Sequence, residues 1–370
     1  MKTTEELYKE RLNRFRKTLA LEKTDRTPVI LMNDAFAARH MGLKLADICG
    51  KDCIEASNKV IVDSLKDLGD VDGTNSAYCV GPVFPLTFMS RVKLPGRELE
   101  DDMLWQIDEA EMMKPEDYDT IINKGWSSFM PGYLKDRLGV NVPEIKKALA
   151  YAPQAIKNVK DAGFIVYSPA VAITVNEYLS GGRSMAKFMM DLFRMPDKVE
   201  AVLEVIQAEV VEGIKKQIKD NKPDVFFLSP ARGASEFYSP KLWERFVWKY
   251  IKETADAIID EGVVCDIHID GNWERDLNYF KDFPKGKIVF ETDGMTDIYK
   301  IKEVLGSTAC IKGDVPAAKL VLSTPDEVYD YASKLVKDMG DGFILSSGCS
   351  IPPNAKVENV KAMISAATGK

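Results

Sequence analysis

The run Cys265-Asp266-Ile267-His268-Ile269-Asp270-Gly271-Asn272-Trp273 holds one of only two histidines in 370 residues. Side chains on an extended strand alternate between faces with a period of two, so His268 and Asp270 emerge side by side. The other parity, Val263, Cys265, Ile267 and Ile269, is apolar, as a strand backed by helices requires. A Gly-Asn turn follows at once. The pair therefore stands at the strand's C-terminal end, where parallel α/β folds carry their chemistry.

Outward from this strand the same pattern repeats. Short β-branched or aromatic runs at Gly163 to Val171, Asp224 to Ala231, Val263 to Asp270, Lys287 to Asp293, Thr308 to Asp314 and Gly342 to Ser347 alternate with helical segments, the signature of βα units. Earlier strands are predicted at Thr27 to Asn33 and Asp70 to Ser76, which makes eight. Apolar stripes of period near 3.6 mark helices at Asp197 to Lys219, Pro240 to Glu261, Asp326 to Lys337 and Val357 to Ala367. Ser239-Pro240 and Thr324-Pro325 signal helix starts, a cap residue followed by proline at the first helical position. The expected fold is α/β, a (β/α)8 TIM barrel forming one domain over residues 1–370. A helix over Thr4 to Leu21 precedes it, and Gly81 to Val142, rich in Pro, Gly, Met and aromatic residues, is too long for a bare connection and reads as an insertion over the barrel mouth.

Composition narrows the function classes. With 45% hydrophobic and 29% charged residues the chain is an ordinary globular sequence, and no apolar run reaches the ~20 residues of a membrane span. The N-terminus has no apolar signal core, so a cytoplasmic protein is expected. A net charge of −7, with lysines interspersed among acids, argues against nucleic-acid binding. Six cysteines are too few for a disulfide framework and fit a reducing compartment. Cys49 and Cys53 lack a second pair at finger-like spacing and read as structural.

Parity places more polar residues inside the barrel. In Lys287 to Asp293, Ile288 and Phe290 face helices, which turns Val289, Glu291 and Asp293 inward. The last strand ends in Ser346-Ser347-Gly348-Cys349-Ser350-Ile351-Pro352-Pro353, which sets Cys349 in a short loop at the mouth. Imidazole, carboxylates and a thiol converge there, a set suited to tetrahedral Zn²⁺, although a buried His beside an Asp is also a common hydrogen-bonded core pair. Cys310, Lys312 and Asp314 share an inward parity, but Cys310 lies four residues below Asp314, about 13 Å down the strand, and is at most a reserve ligand. Asp266-Ile267-His268-Ile269-Asp270-Gly271 also fits D-x-H-x-x-G, a cobalamin-binding pattern. That pattern needs a loop after the first strand of a flavodoxin-like domain, whereas His268 lies inside the fifth strand of a series, so the match is set aside.

Residues spread over most of the chain resemble the uroporphyrinogen decarboxylase-like superfamily, in particular its corrinoid-dependent methyltransferase branch of the O-demethylase type. They are Tyr178-Leu179-Ser180-Gly181-Gly182-Arg183, Arg232-Gly233-Ala234-Ser235-Glu236-Phe237-Tyr238-Ser239-Pro240-Lys241, His268-Ile269-Asp270-Gly271-Asn272, Lys312-Gly313-Asp314-Val315 and Gly342 to Pro353. The resemblance implies Zn²⁺ held by His268, Asp270, Glu291 and Cys349. Thiol-methylating members have cysteine where this chain has Asp270. A harder ligand makes the metal a stronger Lewis acid toward oxygen, which favours a methoxylated, aromatic methyl donor and a corrinoid supplied by a separate partner protein.

Within that reaction, Asp34, His40 and Glu236 are candidates for orienting the substrate or protonating the leaving oxygen, although charged residues of this kind are commonly surface or cap residues. Met32, Phe36, Tyr78, Phe84, Phe88, Met89 and Phe237 are candidates to line an apolar pocket for the ring. Two other activities stay open. One is a decarboxylase of the uroporphyrinogen type, disfavoured because Met32 to His40 carries one arginine where a polycarboxylate needs several; the other is a zinc thiol methyltransferase, disfavoured by Asp270.

Overall fold

The computed structural model describes residues 2–50 and 53–369. Its strands are β1 (Ile30–Leu31), β2 (Gly73–Thr74), β3 (Arg91–Lys93), β4 (Gln106–Asp108), β5 (Ile165–Val166), β6 (Val171–Ile173), β7 (Val225–Ser229), β8 (Val264–Ile269), β9 (Ile288–Thr292), β10 (Cys310–Val315) and β11 (Phe343–Ser347). Parallel pairing runs β1-β2-β5 in one sheet and β6 through β11 in another. A bridge from Val29 to Leu345 joins the last strand to the first. The result is a TIM barrel, an α/β fold with helices outside.

The predicted strand Gly163 to Val171 is split into β5 and β6. Pro169 has no N–H to give a ladder, and the Ser168 hydroxyl bridges the gap, donating to the carbonyls of Ala170 and Val225 and accepting from the Phe227 N–H. Counting β5 and β6 as one interrupted strand, eight staves close the barrel. The predicted first two strands shorten to two residues each.

The helices follow their sequence signals closely. Thr324 caps the helix Pro325–Met339 through a capping box with Glu327. The predicted helix Pro240 to Glu261 is interrupted by a π-helical turn at Glu244–Trp248. The N-terminal helix Thr4–Leu19 plugs the bottom of the barrel, because Phe15 and Leu19 pack with Ile30, Ile165, Tyr167, Val225, Val289, Cys310 and Ile344. These are inward positions of successive strands. The opposite parity, including Cys265, Ile267, Ile269, Ile288 and Phe290, belongs to the larger core beneath the helices. Alternation along β8 and β9 thus falls as the sequence reading has it.

The insertion after β2 holds the β3-β4 hairpin and several short helices. It packs on the helix Val175–Arg183, where the backbone approach is close enough to require glycine. A Cβ on Gly181 would lie 1.7 Å from the Phe88 carbonyl oxygen. The Gly182 carbonyl accepts from the N–H groups of Met112 and Met113, which fixes the insertion at the C-terminal end of the barrel.

Candidate metal centre at the barrel mouth

Asp270 directly follows β8 and Cys349 lies two residues beyond β11, so both stand at the open end above His268. One ligand atom from each of the three lies within 4.8 Å of the other two. The His268 Nε2 is 3.6 Å from an Asp270 carboxylate oxygen. His268 is buried and its ring stacks on Phe227 with centroids 5.2 Å apart, while the Asp270 side chain is 41% exposed.

The turns that carry these groups are tied down. Asp293 accepts from the Gly271 N–H at 3.0 Å, Trp273 Nε1 donates to the Asp270 carbonyl, and the Thr296 hydroxyl donates to the Gly271 carbonyl. On the other side, Ser347 Oγ donates to the Cys349 carbonyl and the Ile351 N–H donates to the Met32 carbonyl.

Three of the four expected ligands are brought together. Glu291 stands elsewhere, on the far side of the imidazole, with Oε1 3.3 Å from His268 Nδ1 and 2.7 Å from Lys312 Nζ. The register explains this: Glu291 is opposite His268 on one side and opposite Lys312 on the other, and all three point inward. Lys312 and Glu291 are both fully buried; Lys312 also donates to Asn75 and sits 4.0 Å above the Tyr167 ring.

Asp266, two residues below His268 on the same face, completes the buried group. Burial and the neighbouring Glu291 raise its carboxyl far above the ordinary range, so it holds a proton. Burial opposes ionisation of Glu291 as well, but Lys312 and His268 outweigh it and keep that carboxylate ionised. Burial likewise disfavours charge on His268, yet Glu291, Asp270 and Cys349 together raise its pKa. Cys310 is as deep as its spacing implies, packed against the bottom layer away from the trio.

The other candidates divide. Glu236 is exposed in the loop after β7, its carboxylate 2.8 Å from where a Cβ on Gly271 would stand, so it reaches the turn that carries Asp270. Asp34 is buried just beyond β1, where burial raises its carboxyl against hydrogen bonds from the N–H groups of Ala35 and Val80. His40 is not at the mouth. It ends the helix Asp34–His40, stacks on Phe36 and bonds Asp67 at 2.9 Å on a neighbouring helix, because two turns of helix carry it away from the strand end. Phe36 and Met89 are fully buried in the core rather than pocket walls. Met32, Tyr78, Phe84 and Phe88 are half-buried, with Phe84 and Phe88 edge to face at 5.3 Å, and Phe237 is 49% exposed.

Sequence reasoning missed Glu177 and Arg232. Glu177 lies in the first turn of the helix after β6, and Arg232 in the loop after β7, the strands preceding β8 around the barrel. Glu177 is fully buried and accepts from the Arg232 backbone N–H, and burial pushes its carboxyl up to about 7 against the opposing Arg232 charge. Arg232 stands within the resemblance motif, but Glu177 had no signal beyond being an acid in the first turn of a helix.

An eight-stave barrel with imidazole, carboxylate and thiol gathered at its C-terminal mouth defines a class: a TIM-barrel protein with three potential metal ligands at the open end of its strands. The family follows from comparison. The uroporphyrinogen decarboxylase (URO-D) family model matches residues 132–369, more than half of the chain, and the chain belongs to that family. The uroporphyrinogen decarboxylase of Christiangramia forsetii is 25% identical over 236 residues, 61% of this chain and 67% of that protein. That of Coxiella burnetii is 23% identical over 244 residues, 61% of this chain and 64% of that protein. The chain therefore matches about two thirds of the length of these relatives. A methyltransferase from Methanosarcina mazei has the same fold, with a TM-score of 0.68 over 95% of this chain and 96% of that one at 18% identity.

Proposed function

We propose that the chain is a methyltransferase that moves a methyl group from a methoxylated aromatic compound to the cobalt(I) of a separate corrinoid protein, with Zn²⁺ held by His268, Asp270 and Cys349. The observation that carries the reading is the trio itself, a thiol, an imidazole and a carboxylate within reach of one ion at an open barrel mouth. The donor set fits zinc. The imidazole presents Nδ1 to the buried Glu291 at 3.3 Å and Nε2 toward Asp270, and an outer carboxylate on the nitrogen away from the ion is what ligating histidines usually have. Bound there, zinc would supply a Lewis acid that stabilises charge on an ether oxygen.

The chain's own residues have three tasks in that reaction. Half-buried aromatic side chains at Phe84, Phe88 and Tyr78 offer a wall for the ring. The methyl carbon must face the open end, where it leaves for cobalt as the C–O bond breaks and the electron pair stays on oxygen. That oxygen then takes a proton that comes from solvent, and Glu236, beside the turn carrying Asp270, would be the side chain that relays it.

A decarboxylase is the second reading, favoured by the named relatives. The mouth speaks against it, since Glu236, Asp270 and Asp293 would repel a polycarboxylate. The test is to mix zinc-loaded protein with a cobalt(I) corrinoid protein and methoxybenzenes, following the methyl-cobalt absorption. Methyl-cobalt forming in step with phenol is expected. Its absence for every methoxybenzene, with metal bound, would sink the ether reading, and uroporphyrinogen decarboxylation that survives chelation would establish the alternative.

A further inference from the structure

Away from the trio, three of the six cysteines gather in one place. Cys49 ends the short helix Ala46–Cys49, Cys53 precedes the helix Ile54–Leu68, and Cys79 lies in the loop after β2. Cys49 Sγ and Cys79 Sγ stand 3.2 Å apart, and both residues are buried. A disulfide needs about 2.0 Å, so the sulfurs have to close by roughly 1.2 Å. The segments that carry them are held in place. The Cys79 N–H donates to Ser57 Oγ and Asn58 Nδ2 donates to the Ala77 carbonyl, which ties the loop to the helix Ile54–Leu68, and the Cys49 N–H donates to the Leu45 carbonyl.

A cavity of about 160 Å³ gives a small oxidant its route in. Its walls include Cys53, Cys79, Pro82, Val83, Leu94 and Leu138, and it has room for a few molecules the size of water. Hydrogen peroxide is of that size. Cys79 is thus the thiol on the wall, and Cys49 stands in contact with it on the closed side. Burial pushes the Cys79 thiol up, with Cys49 and Asp34 adding to the effect, and a thiol so little ionised is a slow nucleophile. Cys53 is pushed up to about 12, by burial and by Cys49. Oxidation here is therefore a response to sustained exposure.

We propose that Cys49 and Cys79 are a peroxide-responsive dithiol, whose closure to a disulfide staples the helix Ala46–Cys49 to the loop after β2. Cys79 Sγ attacks one oxygen of hydrogen peroxide, the O–O bond breaks, and the other oxygen leaves as water with the thiol proton. A sulfenic acid remains on Cys79. Cys49 Sγ then attacks Cys79 Sγ, the S–S bond forms, the S–O bond breaks, and the hydroxyl leaves as water with the Cys49 proton. Two thiols and one peroxide give one disulfide and two waters. The stapled loop carries Tyr78 of the aromatic wall, and it follows Asn75, whose Oδ1 accepts from Lys312 Nζ at 2.9 Å. Closure therefore acts next to the barrel mouth. The thiol chemistry stands apart from the methyl-transfer reading and is tested without it.

The experiment exposes the full chain to hydrogen peroxide, removes the excess with catalase, caps free thiols with N-ethylmaleimide in denaturant and maps unreduced tryptic peptides by mass spectrometry. Wild type, Cys49→Ser and Cys79→Ser are compared. Most wild-type chains should yield Cys49 and Cys79 in one linked peptide pair, and the melting temperature should rise by roughly 3–5 °C, a gain that dithiothreitol reverses. Cys49→Ser should leave Cys79 as a sulfenic acid that dimedone captures, and Cys79→Ser should leave Cys49 capped by maleimide. Wild-type protein whose Cys49 and Cys79 are both recovered as maleimide adducts overturns the proposal without reference to any variant's folding. Cys49 linked to Cys53 overturns it as well. So does dimedone on Cys53 with none on Cys79 in Cys49→Ser, since the peroxide would then enter at another thiol.

Discussion

Nδ1 of His268 faces Oε1 of Glu291 at 3.3 Å inside the barrel. With Nδ1 on the Glu291 side, the ring carries Nε2 toward the mouth, 3.6 Å from an Asp270 carboxylate oxygen. Outer partners of this kind typically account for 10–100-fold in metal affinity. Glu291→Gln should therefore weaken zinc binding by roughly that factor in competition with a chromophoric chelator, while leaving the three mouth residues in place. Unchanged affinity would mean that the contact orients nothing.

The ion pair of Lys312 with Glu291 is buried on both sides. Removing one member of such a pair strands the other charge, at a cost of about 3–5 kcal/mol. Lys312→Met should lose stability on that scale in urea denaturation, and Lys312→Met combined with Glu291→Leu should recover most of it. A single variant as stable as wild type would show that the charges are screened by water.

Glu177 should make stability depend on pH. Its folded-state carboxyl is pushed up to about 7 from an ordinary value of 4.5, so between these limits the folded state binds more protons than the unfolded one. Stability is then greatest below pH ~4.5 as far as this group is concerned and falls as pH rises through ~7, by roughly 3 kcal/mol at most. Glu177→Gln should raise the melting temperature more at pH 8 than at pH 5. Equal shifts at both would count against a buried neutral acid.

How far the sequence reveals this site depends on how each residue reaches it. His268, Asp270 and Cys349 sit on or directly after strands whose alternation is strict, so counting by twos places them. Parity also turns Glu291 inward, but its partner depends on the register between β9 and β10, which no single-strand pattern encodes. His40 and Phe36 mislead for the same reason: a sequence signal marks the strand end, not how far the helix Asp34–His40 runs from it. Glu177 comes from a helix start and Arg232 from a loop, and their meeting beside Phe88 and Gly181 is a tertiary fact without local trace.

That packing is itself open to test. A Cβ on Gly181 would collide with the Phe88 carbonyl, so Gly181→Ala must push the insertion outward. Overpacking of this kind costs typically 1–3 kcal/mol. A lower melting temperature and faster proteolytic nicking between residues 84 and 112 are expected. Wild-type values for both would show that the insertion does not rest on this helix.

The most direct measurement is metal content by mass spectrometry of wild type, His268→Ala and Cys349→Ala, each purified after growth with zinc and checked for native melting. One zinc per chain in wild type and well under half of that in both variants is the expected result. Zinc loading equal in all three would contradict the centre, and with it the methyl-transfer reading that depends on it.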